Sequence, residues 1–301
     1  MAISKVIIFG ATGVQGQPQV REALRQGYQV RVATRNPAAF AGPEFKDVEA
    51  VKADYDDPVS LDAALKGIDG VVIQVPSFVD PVHLRKQCDN LVAAFKNSAL
   101  QLVVFNSAMW APDSACGEFT YDGLAQTEEV FRASGLPVIV FRPTLFMNNL
   151  LGSWIKPVLN QGVYRYPHKP DLASDWICHE DLAKFMIAAL KRPDLAGRKI
   201  HVGGPERLTT LQVVDIVSQA MGKPLKFEYV TPRKFAETFY DAHGHTSGIP
   251  RELYVGAFDS FYTFNNDAPQ KPFQADVHAA LALIPVRLTD MRSWAKAQNW
   301  S

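Results

Sequence analysis

Three glycines spaced three apart, Gly10, Gly13 and Gly16, follow directly on the apolar run Lys5-Val6-Ile7-Ile8-Phe9. That spacing suits phosphate binding. Gly10 permits a tight turn out of a strand, Gly13 lets the backbone come close to a pyrophosphate, and Gly16 lets the next helix pack on the strand. An anion held there rests on the free N–H groups of the helix start, with Thr12, Val14 and Gln15 completing the turn. A dinucleotide site is the chemistry this pattern offers.

The choice of dinucleotide is read at the end of the second strand. A carboxylate there would bind a ribose 2′-hydroxyl, yet no Asp or Glu occurs between Glu22 and Glu44. The segment Thr34-Arg35-Asn36-Pro37 instead offers a guanidinium, which pairs with a 2′-phosphate through planar, bidentate donors. NADP(H) is therefore the expected cofactor.

Carbonyl reduction on such a scaffold uses Ser, Tyr and Lys, with the lysine one helical turn beyond the tyrosine. Ser107 and Tyr121 are suitably placed, but the residue four beyond Tyr121 is Ala125, and no lysine occurs between Lys96 and Lys156. Arg132 and Arg142 remain, and a guanidinium does not release a proton near neutral pH. Tyr121 is thus expected as a loop aromatic at the rim of the crevice, and no catalytic residue is assigned. Direct hydride transfer to a quinone or another electron-poor acceptor needs only orientation over the nicotinamide, so redox chemistry as a whole stays open. Sugar-nucleotide epimerisation depends more heavily on the missing pair. Cys178-His179 has no second ligand pair at suitable spacing, so no metal is expected.

These residues need a scaffold that gathers them. Strand-like runs at 5–9, 28–34, 48–53, 70–75, 101–106 and 137–142 alternate with helix-like intervals at 14–26, 58–66, 82–97 and 123–134. The rhythm predicts an α/β fold, a Rossmann-type doubly wound parallel sheet. Ligands on such sheets bind beyond the carboxyl ends of the strands, where Gly10, Arg35, Asp54, Gln74 and Ser107 should converge. Beyond Arg142-Pro143 the pattern loosens into a helix expected over 145–160, a Pro-rich aromatic stretch at 163–170, a helix from near His179, a helix capped by Thr209 and running to 221, and a strand at 225–230. The expected division is a dinucleotide-binding domain over 1–150 and a smaller α+β C-terminal lobe over 151–301, interleaved with the first.

Composition narrows the function classes. Lysine plus arginine equals aspartate plus glutamate at 31 each, which gives no whole-chain attraction to nucleic acid or an anionic membrane. Three widely spaced cysteines, Cys88, Cys116 and Cys178, suit a reducing compartment better than a disulfide framework. No apolar run approaches the length of about 18 residues that a spanning helix needs. A cytoplasmic protein is expected. From Phe235 to Phe273 lie Phe239, Tyr240, Tyr254, Phe258, Phe261, Tyr262 and Phe264, with His243 and His245 read as surface or hinge. These rings either roof an aromatic pocket or form the core of the lobe. Glu128-Glu129 is expected on a solvated helix face.

Taken together, Gly10 to Gly16, Thr34 to Pro37, Ala53-Asp54, Leu61 to Gly67, Glu128 to Leu136, Arg142 to Asn149 and Gly203 to Thr209 resemble the NmrA-like family of atypical short-chain dehydrogenases/reductases. The resemblance spans most of the chain. It implies an NADP-binding core with a small C-terminal lobe, in a family that holds both redox-sensing regulators and reductases. Position by position, it places Thr12, Gly13, Gln15 and Gly16 at the pyrophosphate and Arg35 at the 2′-phosphate. Asp54 and Tyr55 edge the adenine, while Gln74, Val75 and Pro76 pass the second ribose. Asn106 and Ser107 approach the nicotinamide half, which Pro143, Phe146 and Asn149 flank. The departure lies at 120–124, where a His-x-x-x-Lys pattern gives way to Thr120-Tyr121-Asp122-Gly123-Leu124. Two readings follow: an NADP(H)-dependent redox sensor read by a protein partner, or an NADPH-dependent reductase of quinones or activated alkenes.

Overall fold

The computed structural model describes residues 2–76, 80–244 and 248–300, apart from the side chain of His243. Its centre is a sheet in which β1 (Lys5–Phe9), β2 (Gln29–Thr34), β3 (Val48–Lys52), β4 (Gly70–Gln74), β5 (Leu102–Asn106) and β6 (Val138–Pro143) lie parallel. Three strands of the remaining chain, β7 (Leu145–Phe146), β8 (Val163–Tyr166) and β9 (Ala173–Ile177), lie outside it, and β10 (Lys199–Val202) returns to pair with β6. The seven-stranded order is β10-β6-β5-β4-β1-β2-β3, the doubly wound arrangement expected from the sequence.

Why these runs form strands is visible in where alternate residues go. Val6 and Ile8 enter one core layer with Val30, Val72 and Phe141, while Ile7 and Phe9 enter the other with Val71, Ile73 and Phe105. A strand buried on both faces must be apolar throughout, which is how β1 and β4 read. Helix α1 (Gly16–Arg25) covers the first layer together with α6 (His179–Ala189). The opposite layer is covered by α2 (Pro58–Ala64), α3 (Pro81–Lys96) and α4 (Phe119–Arg132).

A second cluster gathers α5 (Lys156–Asn160), α7 (Thr210–Met221), α8 (Pro232–His243), α9 (Arg251–Asp267) and α11 (Met291–Lys296), while α10 (Val277–Leu283) packs beside β10. Short strands complete it: β11 (Arg207–Thr209) and β7 flank β9, and β12 (Lys226–Tyr229) pairs with β8. Thr209 caps α7 through a reciprocal pair with Gln212, as its position predicts.

One expected element does not form. The interval 145–160 is no single helix: Leu145 and Phe146 pair with Trp176 and Ile177 of β9, a 3₁₀ turn follows over Met147–Leu151, and only Lys156–Asn160 is α-helical. Gly152 sits in an extended conformation between the two helical pieces, and Pro157 is confined to the first turn of α5.

Candidate functional site

The first turn is built from backbone contacts. Gly13 N–H donates to the Gly10 carbonyl at 3.0 Å, and Gly16 N–H to the Gly13 carbonyl at 3.0 Å. Gly10 has φ +71°, a conformation that glycine adopts without strain. At Gly16 the constraint is space, because a Cβ there would stand 2.2 Å from the Gly10 carbonyl oxygen and 2.6 Å from Ala11 Cα. Gln15 precedes α1 without capping it, and no acidic residue occupies the first turn. The positive end of the helix is left for an anion.

Beside this turn lies a cleft of about 530 Å³ at the carboxyl ends of β1, β2 and β4. Nine of the expected residues line it: Gly10, Thr12, Gly13, Arg35, Asp54, Tyr55, Gln74, Val75 and Pro76. The floor is tied together, since the Tyr55 hydroxyl donates to the Gln74 carbonyl at 3.2 Å. Arg35 is exposed at the end of β2, where the sequence has no Asp or Glu. Asn36 and Gln87 also line the cleft and were not singled out from the sequence. Asn36 had a signal in its place next to Arg35. Gln87 had none, as one polar residue on the amphipathic helix α3.

The other eight expected residues lie off the cleft. Gly16 lies beneath the turn, and Val14 is 77% exposed. Gln15 and Asn106 reach the cleft through hydrogen bonds: Asn106 Nδ2 donates to Gln15 Oε1 at 2.8 Å and to Gln74 Oε1 at 3.1 Å. Next along the chain, Ser107 is 2% exposed, and among the described residues its hydroxyl has no hydrogen-bond partner. A buried hydroxyl without a partner is costly unless a ligand supplies one. Pro143 ends β6, and Phe146 is buried with its ring 4.6 Å from that of His179. Asn149 is half-buried and hydrogen-bonds the Tyr166 side chain.

His179 opens α6 and is hydrogen-bonded to the Val14 backbone, so the second half of the chain touches the glycine turn directly. Burial pushes its imidazole down to about 4, which keeps the ring neutral at physiological pH. Cys178 is buried, and its thiol is pushed up to about 12 by desolvation. Among the described residues, no group of three or more His, Cys, Asp or Glu side chains could hold a metal ion.

Two expectations about α4 are overturned. Tyr121 is no rim aromatic: it is wholly buried, and its hydroxyl donates to Asn265 Oδ1 at 2.6 Å. Burial raises its phenol well above the usual value. Glu128 is not solvated but 1% exposed, paired with Arg142 through contacts of 2.9 and 2.6 Å. The reason is shared: α4 is pressed between the sheet and α9, so its inward polar groups survive only with buried partners. Glu129 does lie on the exposed face, bonded to Arg132.

The aromatic stretch resolves toward core. Phe235, Tyr254, Phe258, Phe261, Tyr262 and Phe273 are buried in one cluster with Tyr164, Tyr166 and Trp176. Phe235 and Tyr262 meet edge to face at 5.2 Å, while Tyr254 and Phe258 stack at 4.7 Å. Phe239, Tyr240 and Phe264 pack partly buried against the same cluster. His245 and the side chain of His243 lie outside the described residues.

The NmrA-like family model matches residues 3–290. A (4-alkanoyl-5-oxo-2,5-dihydrofuran-3-yl)methyl phosphate reductase of Streptomyces griseus is 30% identical over 225 residues, spanning 74% of this chain and 76% of that protein. An NADPH-dependent quinone oxidoreductase of Escherichia coli, solved with NADPH, shares the fold with a TM-score of 0.75 at 22% identity, covering 96% of this chain and 98% of that one. NmrA, a negative transcriptional regulator solved with NADP, does so with a TM-score of 0.73 at 18% identity, covering 99% of this chain and 95% of that one. No described helix is long and apolar enough to cross a membrane.

Proposed function

The chain belongs to the NmrA-like family, and from that premise we infer that it binds NADP(H) and acts as a redox-responsive regulatory protein without the tyrosine-lysine proton relay. Gly10, Thr12, Gly13, Val14, Gln15 and Gly16 would hold the diphosphate, and Arg35 the 2′-phosphate. Asp54 and Tyr55 would edge the adenine, and Gln74, Val75 and Pro76 the second ribose. Asn106, Ser107, Pro143, Phe146 and Asn149 would serve the nicotinamide half.

The observation that carries the regulatory reading is the state of Tyr121. Its hydroxyl is fully buried and committed to Asn265, and Leu124 stands where the family resemblance often puts a lysine. A phenol held this way is neither open to a substrate nor assisted by an ammonium. A transmission route exists in the contact between His179 and Val14, which joins the glycine turn to α6. Occupancy of the turn would then be felt where a protein partner could read it.

A second reading is favoured by Ser107 and by the similarity to a reductase. When bound, NADPH supplies a hydride. The buried Ser107 hydroxyl at the end of β5, without a partner among the described residues, offers a donor to the nicotinamide half or to a small electron-poor acceptor such as a quinone or activated alkene, whose protonation water can complete. Calorimetry with NADPH, followed by NADPH mixed with a panel of quinones and enones, separates the two. Saturable binding with no loss of reduced-nicotinamide absorbance is expected of the sensor. Turnover of any acceptor above background moves the assignment to the reductase, and no binding at all removes both.

A further inference from the structure

The side chain of Asn106 is 1% exposed, and every polar atom in it is committed. The Ala108 N–H reaches back to Oδ1 at 2.8 Å. A backbone N–H can only donate, so the atom facing it must be the amide oxygen, and the amide nitrogen must face the other way. There it meets Gln15 at 2.8 Å and Gln74 at 3.1 Å, one hydrogen for each. Because that nitrogen too can only donate, both glutamines must turn their carbonyl oxygens toward Asn106. Their NH₂ groups are then turned away from it, and among the described residues neither has a partner. Gln74 Nε2 lies 3.8 Å from the point where a Cβ on Gly13 would stand, on the cleft side of the glycine turn.

We propose that Asn106 is a positioning residue that fixes the polarity of the dinucleotide cleft. By holding both glutamine carbonyls, it presents two amide donors to a ligand rich in acceptor oxygens, such as a ribosyl diphosphate. The chain of orientation begins at Ala108, whose φ of +67° is unusual for a residue with a Cβ. Its N–H, placed by the turn through Asn106 and Ser107, meets the Asn106 side-chain oxygen. The inference deepens the NADP(H) reading and rests on it.

The experiment measures NADPH dissociation constants by calorimetry for wild type, Asn106→Asp, Gln74→Glu, and a Gln15→Leu/Gln74→Leu background with and without Asn106→Asp. Side-chain NH₂ resonances of both glutamines are followed by NMR. The carboxylate of Asn106→Asp only accepts, so the glutamines invert and present oxygens to the ligand; affinity should fall about tenfold or more. Gln74→Glu keeps its bond to Asn106 but loses its donor, and should weaken binding at an unchanged melting temperature. On the double-leucine background, Asn106→Asp should add no further loss. In wild type the glutamine NH₂ signals should shift on NADPH addition. Wild-type affinity in Gln74→Glu, an additive loss on the double-leucine background, or unmoved NH₂ signals would each overturn the proposal while leaving the NADP(H) reading in place. Absence of NADPH binding by the wild type would remove both.

Discussion

Tyr121 and Asn265 lie 144 residues apart in sequence, and a 2.6 Å hydrogen bond joins their side chains inside the molecule. Asn265 in turn donates to the Phe261 carbonyl at 2.7 Å, so the pair closes a buried polar network between α4 and α9. Its role is to hold two helices together. Tyr121→Phe should therefore destabilise the protein by about 1–3 kcal/mol, because the Asn265 oxygen is left without a donor. Chemical denaturation measures this. NADPH affinity should be unchanged, and so should any NADPH-linked turnover, whereas a working general acid would cost about 10²–10⁴ in rate.

Arg35 tests the identity of the coenzyme. Charge-assisted bonds to a phosphate contribute about 1.5–3 kcal/mol, so Arg35→Ala should weaken NADPH binding by roughly 10- to 150-fold. NADH, which lacks the 2′-phosphate, should lose little. Titration of both coenzymes against both proteins gives the comparison, and equal losses would refute the assignment.

The glycines separate two kinds of constraint. At Gly16 a methyl group would stand 2.2 Å from a backbone oxygen, so Gly16→Ala should displace the turn and abolish detectable NADPH binding. Gly67 has φ +71°, and among the described residues no atom beyond its chain neighbours lies within 4 Å of where a Cβ would stand. Gly67→Ala should cost about 1–2 kcal/mol of stability from backbone strain and leave coenzyme affinity intact. Parallel melting and binding curves read both effects, and tight binding by Gly16→Ala would show that the turn gives way easily.

His168 predicts a pH dependence. It is 1% exposed among Tyr166, Tyr262 and Phe273, and burial pushes its imidazole down to about 3 from the usual 6.5. Above about pH 6.5 neither the folded nor the unfolded chain carries this proton. As pH falls below that value the unfolded chain takes it up and the folded one does not, so stability declines until about pH 3. Between pH 7 and pH 5, His168→Phe should lose about 2 kcal/mol less than wild type in urea denaturation. Parallel profiles would mean that the ring protonates in place.

Six strands of the parallel sheet were legible because most are short apolar runs set off by turn residues, and the glycine spacing marks where the first strand ends; the seventh, Lys199–Val202, alternates polar and apolar residues over only four positions and was not read. Arg35, Asp54 and Gln74 could be placed in one crevice because the topology fixes which strand ends face the ligand. The stretch 145–160 misled for a local reason: Leu145, Phe146, Leu150 and Leu151 have helix-like spacing, while the bonds that make 145–146 a strand come from β9, some thirty residues on. Glu128 and Tyr121 were misplaced because burial of a polar side chain depends on partners, Arg142 and Asn265, that no periodicity reveals. The left-handed turn at Ala108 was equally hidden, since a non-glycine residue gives no composition cue for positive φ.

The outermost strand beside β6 comes from residues 199–202, long after the other six have been made. A chain emerging amino end first therefore carries an open rim of unpaired amides on β6 until residues 199–202 have left the ribosome. Fragments ending before Lys199 should be sticky and in need of a chaperone, and any truncation meant to isolate the nucleotide half must keep that late-arriving hem.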